Sequence, residues 1–263
     1  MRGFRYYSFI TIGLIWLFQA SCATHGTAQD ESPASGPPPD YPAEIKKADD
    51  LFAQRDEGID KLRQSVKILK SIRKPDQRNF EVEWKYARSC FFLGKRTDDA
   101  KEKEESFDEG REAGKIASRI EPEKPDGYFW YGANLGEQAK LSPLTVGLSK
   151  VDDIRQAMQK VIEIQPDYQA GSAFDALAEI EMATNLVGGS PEKAIEYLEK
   201  GIKYEKDNTY LQLHLGKAYL AVDRDAEAKK QLEYVINMKP SPGYRAEYDE
   251  CVAEAKKLLR TRF

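Results

Sequence analysis

The chain has 263 residues, of which 41% are hydrophobic and 32% charged, and its formal net charge is −4. That length supports one or two domains with a sizeable core, and the composition suits a soluble helical protein with solvated outer faces. A mildly acidic chain without a basic stripe argues against nucleic-acid binding.

The first 22 residues depart from this average. Arg2 and Arg5 precede the apolar run Phe9 to Phe18, and small residues lead into Cys22. A positive start, a short apolar centre and a small-residue cleavage point form an export signal. The run is too short to be a comfortable transmembrane helix. Ala20-Ser21-Cys22 resembles the bacterial lipobox, with Gln19 where that pattern prefers leucine. The expectation is a signal peptide over 1–22 with Cys22 as the lipid attachment site, the membrane being reached only through that lipid. Ordinary signal cleavage nearby is the alternative. Ala23 after the cysteine resembles an outer-membrane address. Loss of Arg2 and Arg5 would take the net charge from −4 to −6. Residues 23–40 are Gly, Ser, Pro and polar side chains, too poor in apolar surface to offset chain entropy, so a disordered tether containing a solvated His25 is expected.

From residue 41 the pattern predicts helices in pairs. Ile45, Ala48, Leu51 and Phe52 share one face, and Ile59, Leu62, Val66, Leu69 and Ile72 follow helical spacing. Phe80, Trp84, Ala87, Phe91 and Phe92 mark the next helix. Its charged partner, from about Thr97 to Ile120, has Phe107, Ala113, Ile116, Ala117 and Ile120 as its buried side. The third pair opens at Pro125-Asp126, where Asp126 is expected to cap the helix. Tyr128, Trp130, Tyr131 and Leu135 then alternate with Gly132, Ala133 and Gly136, small positions that would admit the neighbour's rings. An apolar loop, Leu141 to Ser149, leads to a helix over Val151 to Ile164. The fourth pair starts near Gly171, carries Phe174, Leu177, Ala178, Ile180 and Leu186, and passes a turn to Ser190 as cap with Pro191 at the first helical position.

The fifth pair runs from Thr209 to Pro240 and reveals a period. Ala194 and Ala228 are 34 residues apart, as are Leu198 and Leu232, and Gly201 and Val235. That is the tetratricopeptide spacing. Leu215-Gly216, Tyr219, Ala228, Leu232 and Pro240 fill that repeat's signature slots, with Gln212 where an aromatic is usual. Small Gly216 and Ala228 would let the two helices touch, while Tyr219 and Leu232 fill the space between repeats. A helix from Tyr244 to Leu259 should cap the array. The fold expected over 41–263 is all-α, about five tetratricopeptide-like hairpins plus a C-terminal capping helix.

No catalytic constellation emerges. His25 and His214 are the two histidines, without a companion base or ligand, so neither an enzyme nor a metal or other cofactor is expected. His214 reads as a polar residue of the groove or surface. Gly188-Gly189 is a turn without a phosphate-loop lysine. Cys90 lies in an apolar helical context and reads as a buried free thiol; export would permit a bridge to Cys251. Tyr128, Trp130 and Tyr131 fill repeat interfaces on one reading; on the other they line a pocket with Asn134 and Glu137 as polar anchors. The loop containing Leu144 and Val146 needs cover from the chain itself, a partner subunit or a ligand.

The stretches PDGYFWYGANLGEQA from Pro125, VDDIRQAMQKVIEIQPDY from Val151 and GGSPEKAIEYLEKGI from Gly188 together resemble the T component of the lipoproteins associated with TRAP (tripartite ATP-independent periplasmic) transporters. They are also similar to the eukaryotic regulators of microtubule dynamics, which share a WYA-like aromatic helix. The resemblance spans roughly Ala43 to Pro240. It implies a periplasmic lipoprotein that forms a homotrimer around a central channel, pairs with a periplasmic substrate-binding lipoprotein and takes part in ligand uptake. A general tetratricopeptide adaptor that docks envelope proteins or peptides is the second expectation.

Overall fold

The structure, a computed structural model, describes residues 40–142 and 148–263. The signal, the tether up to residue 39, Cys22, Leu144 and Val146 lie outside the described residues. Those described hold eleven α-helices and no strand: α1 Tyr41–Ala53, α2 Ile59–Ile72, α3 Phe80–Arg96, α4 Ala100–Ile120, α5 Pro125–Leu141, α6 Leu148–Ile164, α7 Ser172–Ala183, α8 Pro191–Tyr204, α9 Thr209–Ala221, α10 Asp225–Asn237 and α11 Arg245–Arg262. Among them no helix is long and apolar enough to cross a membrane.

Side-chain caps mark the starts of five of these helices. Asp40, Asn79, Asp99, Ser190 and Asn208 each accept a first-turn backbone N–H, at 3.3 Å from Ala43, 3.1 Å from Val82, 2.8 Å from Glu102, 3.2 Å from Lys193 and 3.0 Å from Tyr210. α5 differs from expectation. Pro125 already occupies its first turn, Lys124 is the cap, and no side chain caps it. Asp126 instead accepts the Tyr168 hydroxyl at 2.7 Å, tying the start of α5 to the chain beyond α6.

Each hairpin packs on the next, and the odd-numbered helices touch in succession from α1 to α11, forming an inner layer. The 34-residue register places equivalent residues alike: Ala194, Leu198 and Gly201 are buried, and so are Ala228, Leu232 and Val235. The Gly216 expectation needs correction. A Cβ there would lie 3.0 Å from Leu232 and 3.6 Å from Gln231, so its nearest neighbours in α10 are these and not Ala228. The small residues around α5 also act differently. Gly114 of α4 and Gly127 of α5 allow backbone-to-backbone approach, since Cβ atoms there would fall 2.7 Å from the Tyr131 Cα and 2.6 Å from the Ser118 Cα. Gly132 admits Met158 of α6. Two expected core residues lie outside: Ile120 ends α4 and is exposed, and Leu186 is 92% exposed in a 3-10 turn after α7.

One buried carboxylate shows how polar groups enter this core. Glu83 is fully buried and accepts from Arg73 at 2.8 and 3.0 Å and from Arg78 at 2.8 Å. Such a group is tolerable only because its partners hold it.

The start of α11 returns to the first two hairpins. Arg96 at the end of α3 pairs with Glu247 at 2.8 Å and with Asp56 at 3.0 Å. The backbone N–H of Arg245 donates to Asp56 at 3.2 Å. The Arg55 guanidinium lies 4.4 Å from the Phe52 ring, 5.0 Å from Phe92 and 4.8 Å from Tyr244. Gly243 makes this approach possible. Its φ of +77° suits glycine, and a Cβ would lie 2.9 Å from the Arg55 Cζ. The inner layer thus closes on itself.

Candidate functional site

The closed inner layer surrounds a groove of about 1460 Å³, lined from α3, α5, α6, α7, α9 and α11. One wall is apolar. Trp130, only 2% exposed, backs this wall in an aromatic cluster, its ring centroid 4.9 Å from Phe129, 5.6 Å from Phe91 and 6.0 Å from Phe92. Ile154 and Met158 of α6 extend this wall. Edge-on and tilted contacts of this kind add rigidity beyond area burial.

The other wall is polar and continuous. His214 Nδ1 lies 2.7 Å from Asp175, and its Nε2 lies 4.0 Å from Glu179. Lys140 donates to Glu179 at 3.1 Å and to Glu137 at 3.0 Å, and Lys95 stands 4.0 Å from Glu137. The Tyr210 hydroxyl donates to Glu250 of α11 at 2.9 Å. Burial alone would lower the His214 pKa, but the Asp175 carboxylate outweighs it and raises the imidazole above its usual value. The Asp175 carboxylate thereby fixes positive charge along this wall. Among the described residues no group of His, Cys, Asp or Glu is placed to hold a metal ion.

The residues singled out from the sequence divide between groove and core. Trp130 and Glu137 line the groove; Tyr128, Tyr131 and Asn134 do not. Asn134 is fully buried and its amide donates to the Ala87 and Trp130 carbonyls at 3.1 and 2.7 Å, so it joins α3 to α5. Tyr128 and Tyr131 pack half-buried against the main core. Of the repeat positions, Ala194, Leu198 and Ala228 are fully buried, Tyr219 donates to Glu199 at 3.1 Å, and Pro240 is exposed beyond α10. Cys90 and Cys251 are free and buried, so the disulfide alternative does not occur.

Sequence pattern alone did not place Phe92, Asp175, Glu179, Tyr210 or Glu250 at a site. A signal was present for several of them. Lys140 and Glu179, and Asp175 and His214, are each 39 residues apart, as are Arg63 and Glu102, Lys70 and Glu109, and Asp49 and Arg88. All five pairs join like helices of adjacent hairpins. Complementary polar residues at that offset therefore mark the seams of the inner and outer layers.

This architecture is that of a tetratricopeptide-like helical-repeat protein, whose stacked hairpins build a concave surface. Residues 44–171, which span the first three hairpins, match the family model of the regulator of microtubule dynamics proteins 1-3. Among solved structures, TTC0263, a thermophilic TPR protein in Thermus thermophilus, is similar at a TM-score of 0.60 and 16% identity, covering 82% of this chain and 99% of that one. At that identity the likeness speaks for the fold alone. The crystal structure of MamA protein gives a TM-score of 0.47 at 16% identity, covering 84% of this chain and 95% of that one. No curated protein matches the chain.

Proposed function

We propose that this chain is an exported, non-enzymatic lipoprotein, anchored to the outer membrane through Cys22, that serves a TRAP-type transport system. Its groove is the working surface. There it meets a periplasmic substrate-binding lipoprotein or the ligand that protein carries, and the chain assembles as a homotrimer. The observation that carries this reading is the groove itself: a closed inner layer whose aromatic wall includes Trp130 and whose polar wall includes Glu137. Both come from the helix whose sequence resembles the transport lipoproteins. The apolar run before Ala20-Ser21-Cys22 supports the address.

The decisive experiment is crosslinking of the full chain in its own envelope, followed by identification of captured proteins. The reading expects the substrate-binding lipoprotein of the system, and expects Ala133→Trp, which crowds the groove, to reduce its capture. Recovery of outer-membrane assembly proteins in its place would overturn the transport assignment. The Cys22→Ser variant should leave the membrane fraction, and sedimentation of the soluble form should give a trimer. Persistent membrane partition or a clean monomer would remove the corresponding part of the proposal.

A further inference from the structure

The groove is amphipathic and its charge is one-sided. Eight carboxylates line it against four lysines. Most are paired, so the balance depends on those that are not. Among the described residues Glu205, Asp207 and Glu250 have no cationic partner: Glu250 accepts only the Tyr210 hydroxyl, and Glu205 accepts the Asp207 backbone N–H. One lining lysine, Lys217, is likewise outside any ion pair. Uncompensated acid therefore gathers on α11 and on the turn before α9.

The aromatic wall already accepts a cation. The Arg55 guanidinium rests 5.0 Å from the Phe92 ring and 4.8 Å from the Tyr244 ring, and both rings line the groove. Arrangements at this distance are attractive because the ring face carries negative charge. The volume of about 1460 Å³ exceeds the roughly 300–1,000 Å³ of a small-molecule pocket. The groove therefore has room for an occupant larger than a small molecule.

We infer that the groove binds an extended peptide segment that alternates basic and apolar side chains. Its lysines or arginines meet Asp207, Glu205 and Glu250, and its apolar side chains lie on the half-buried Phe91, Ala133 and Val151 of the apolar wall. This rests on the groove being the working surface, and it names what that surface recognises: a basic segment of the partner protein.

The test measures binding of three labelled probes to the full chain by fluorescence anisotropy. They are a short peptide alternating lysine with leucine, the same peptide with glutamate for lysine, and a long-chain fatty acid. The lysine peptide should bind at least about tenfold more tightly than the glutamate peptide, and its affinity should fall as salt rises, since exposed charges are screened. Combining Asp207→Lys with Glu250→Lys should weaken the lysine peptide about tenfold and narrow the gap between the two peptides. Both positions are exposed, and the salt series on the unaltered chain tests the charge argument without any variant. Equal binding of the two peptides, an affinity unchanged by charge reversal, or binding of the fatty acid with neither peptide would overturn the inference. Failure here with continued capture of the substrate-binding lipoprotein would leave the proposed function standing. Peptide binding without that capture would remove the transport assignment alone.

Discussion

The Arg96 guanidinium holds the Glu247 carboxylate at 2.8 and 2.9 Å, joining residues 151 positions apart. Both side chains are largely shielded, each 13% exposed. A helical-repeat array needs contacts only between neighbours, so this pair is what turns a row of hairpins into a closed layer around a groove. Hydrogen bonds to charged groups contribute about 1.5–3 kcal/mol when their partners are lost. Arg96→Met and Glu247→Gln should each cost about that much in urea denaturation. Their double-mutant cycle should show coupling of about 1 kcal/mol or more. Strict additivity would mean that the ends meet without holding each other.

The glycines of the central hairpin separate two roles that look alike in sequence. A Cβ at Gly114 would press 2.7 Å from the Tyr131 Cα, and backbone cannot step aside. Gly114→Ala should therefore destabilise the chain by about 1–3 kcal/mol. A Cβ at Gly136 would meet nothing within 4 Å, and the residue lies inside α5. Gly136→Ala should stabilise by about 0.5–1 kcal/mol, because alanine loses less freedom in a helix. Thermal melts of the two variants should move in opposite directions; a shared direction would refute the close α4–α5 crossing.

His214 gives the chain a pH dependence of definite sign. Its folded pKa is raised by Asp175 despite burial. Glu179 and Lys217 also act on it, with opposite signs. A raised pKa stabilises the fold fully below the unfolded value of about 6.5, and that contribution is lost as pH climbs through the folded value. The melting temperature should fall as pH rises above about 6.5, and His214→Gln should flatten this decline. An unchanged slope in the variant would show that Asp175 does not hold the imidazolium.

Element existence was legible because helical spacing and capping residues are local properties. Ser190 and Pro191 announce α8, and the 34-residue spacing of Ala194 and Ala228 places both in the core. Where local pattern competes with tertiary packing it misleads. Leu186 has an apolar side chain in helical register, yet α7 stops at Ala183 and a 3-10 turn carries the residue outward. Asn134 has a polar side chain on an aromatic helix and so reads as a pocket anchor. It is buried because the Ala87 and Trp130 carbonyls take its amide hydrogens. The groove itself was half legible. Trp130 and Glu137 were visible on one helix, whereas Glu250 reaches it only because α11 swings back to α3. That return depends on a bidentate ion pair and on Gly243, neither of which has a periodic signature.

The two cysteines in the helices offer a last test, of the core and of its pH limit together. Burial pushes the Cys90 and Cys251 thiols up to about 12. Reactivity belongs to the thiolate, so at neutral to mildly alkaline pH neither should react while the chain is folded. In a Cys22→Ser background, a thiol reagent at about pH 8 should label neither residue in the native protein and both after denaturation by guanidinium. The same shift has a thermodynamic sign. Above the ordinary thiol value of about 8.5 the unfolded chain releases protons that the folded chain keeps, so stability must decline as pH rises beyond that point. Cys90→Ala and Cys251→Ala together should lessen this alkaline decline, even if the cavity they leave lowers stability at every pH. Rapid labelling of either thiol in the native chain would show that α3 or α11 opens far more readily than its packing implies.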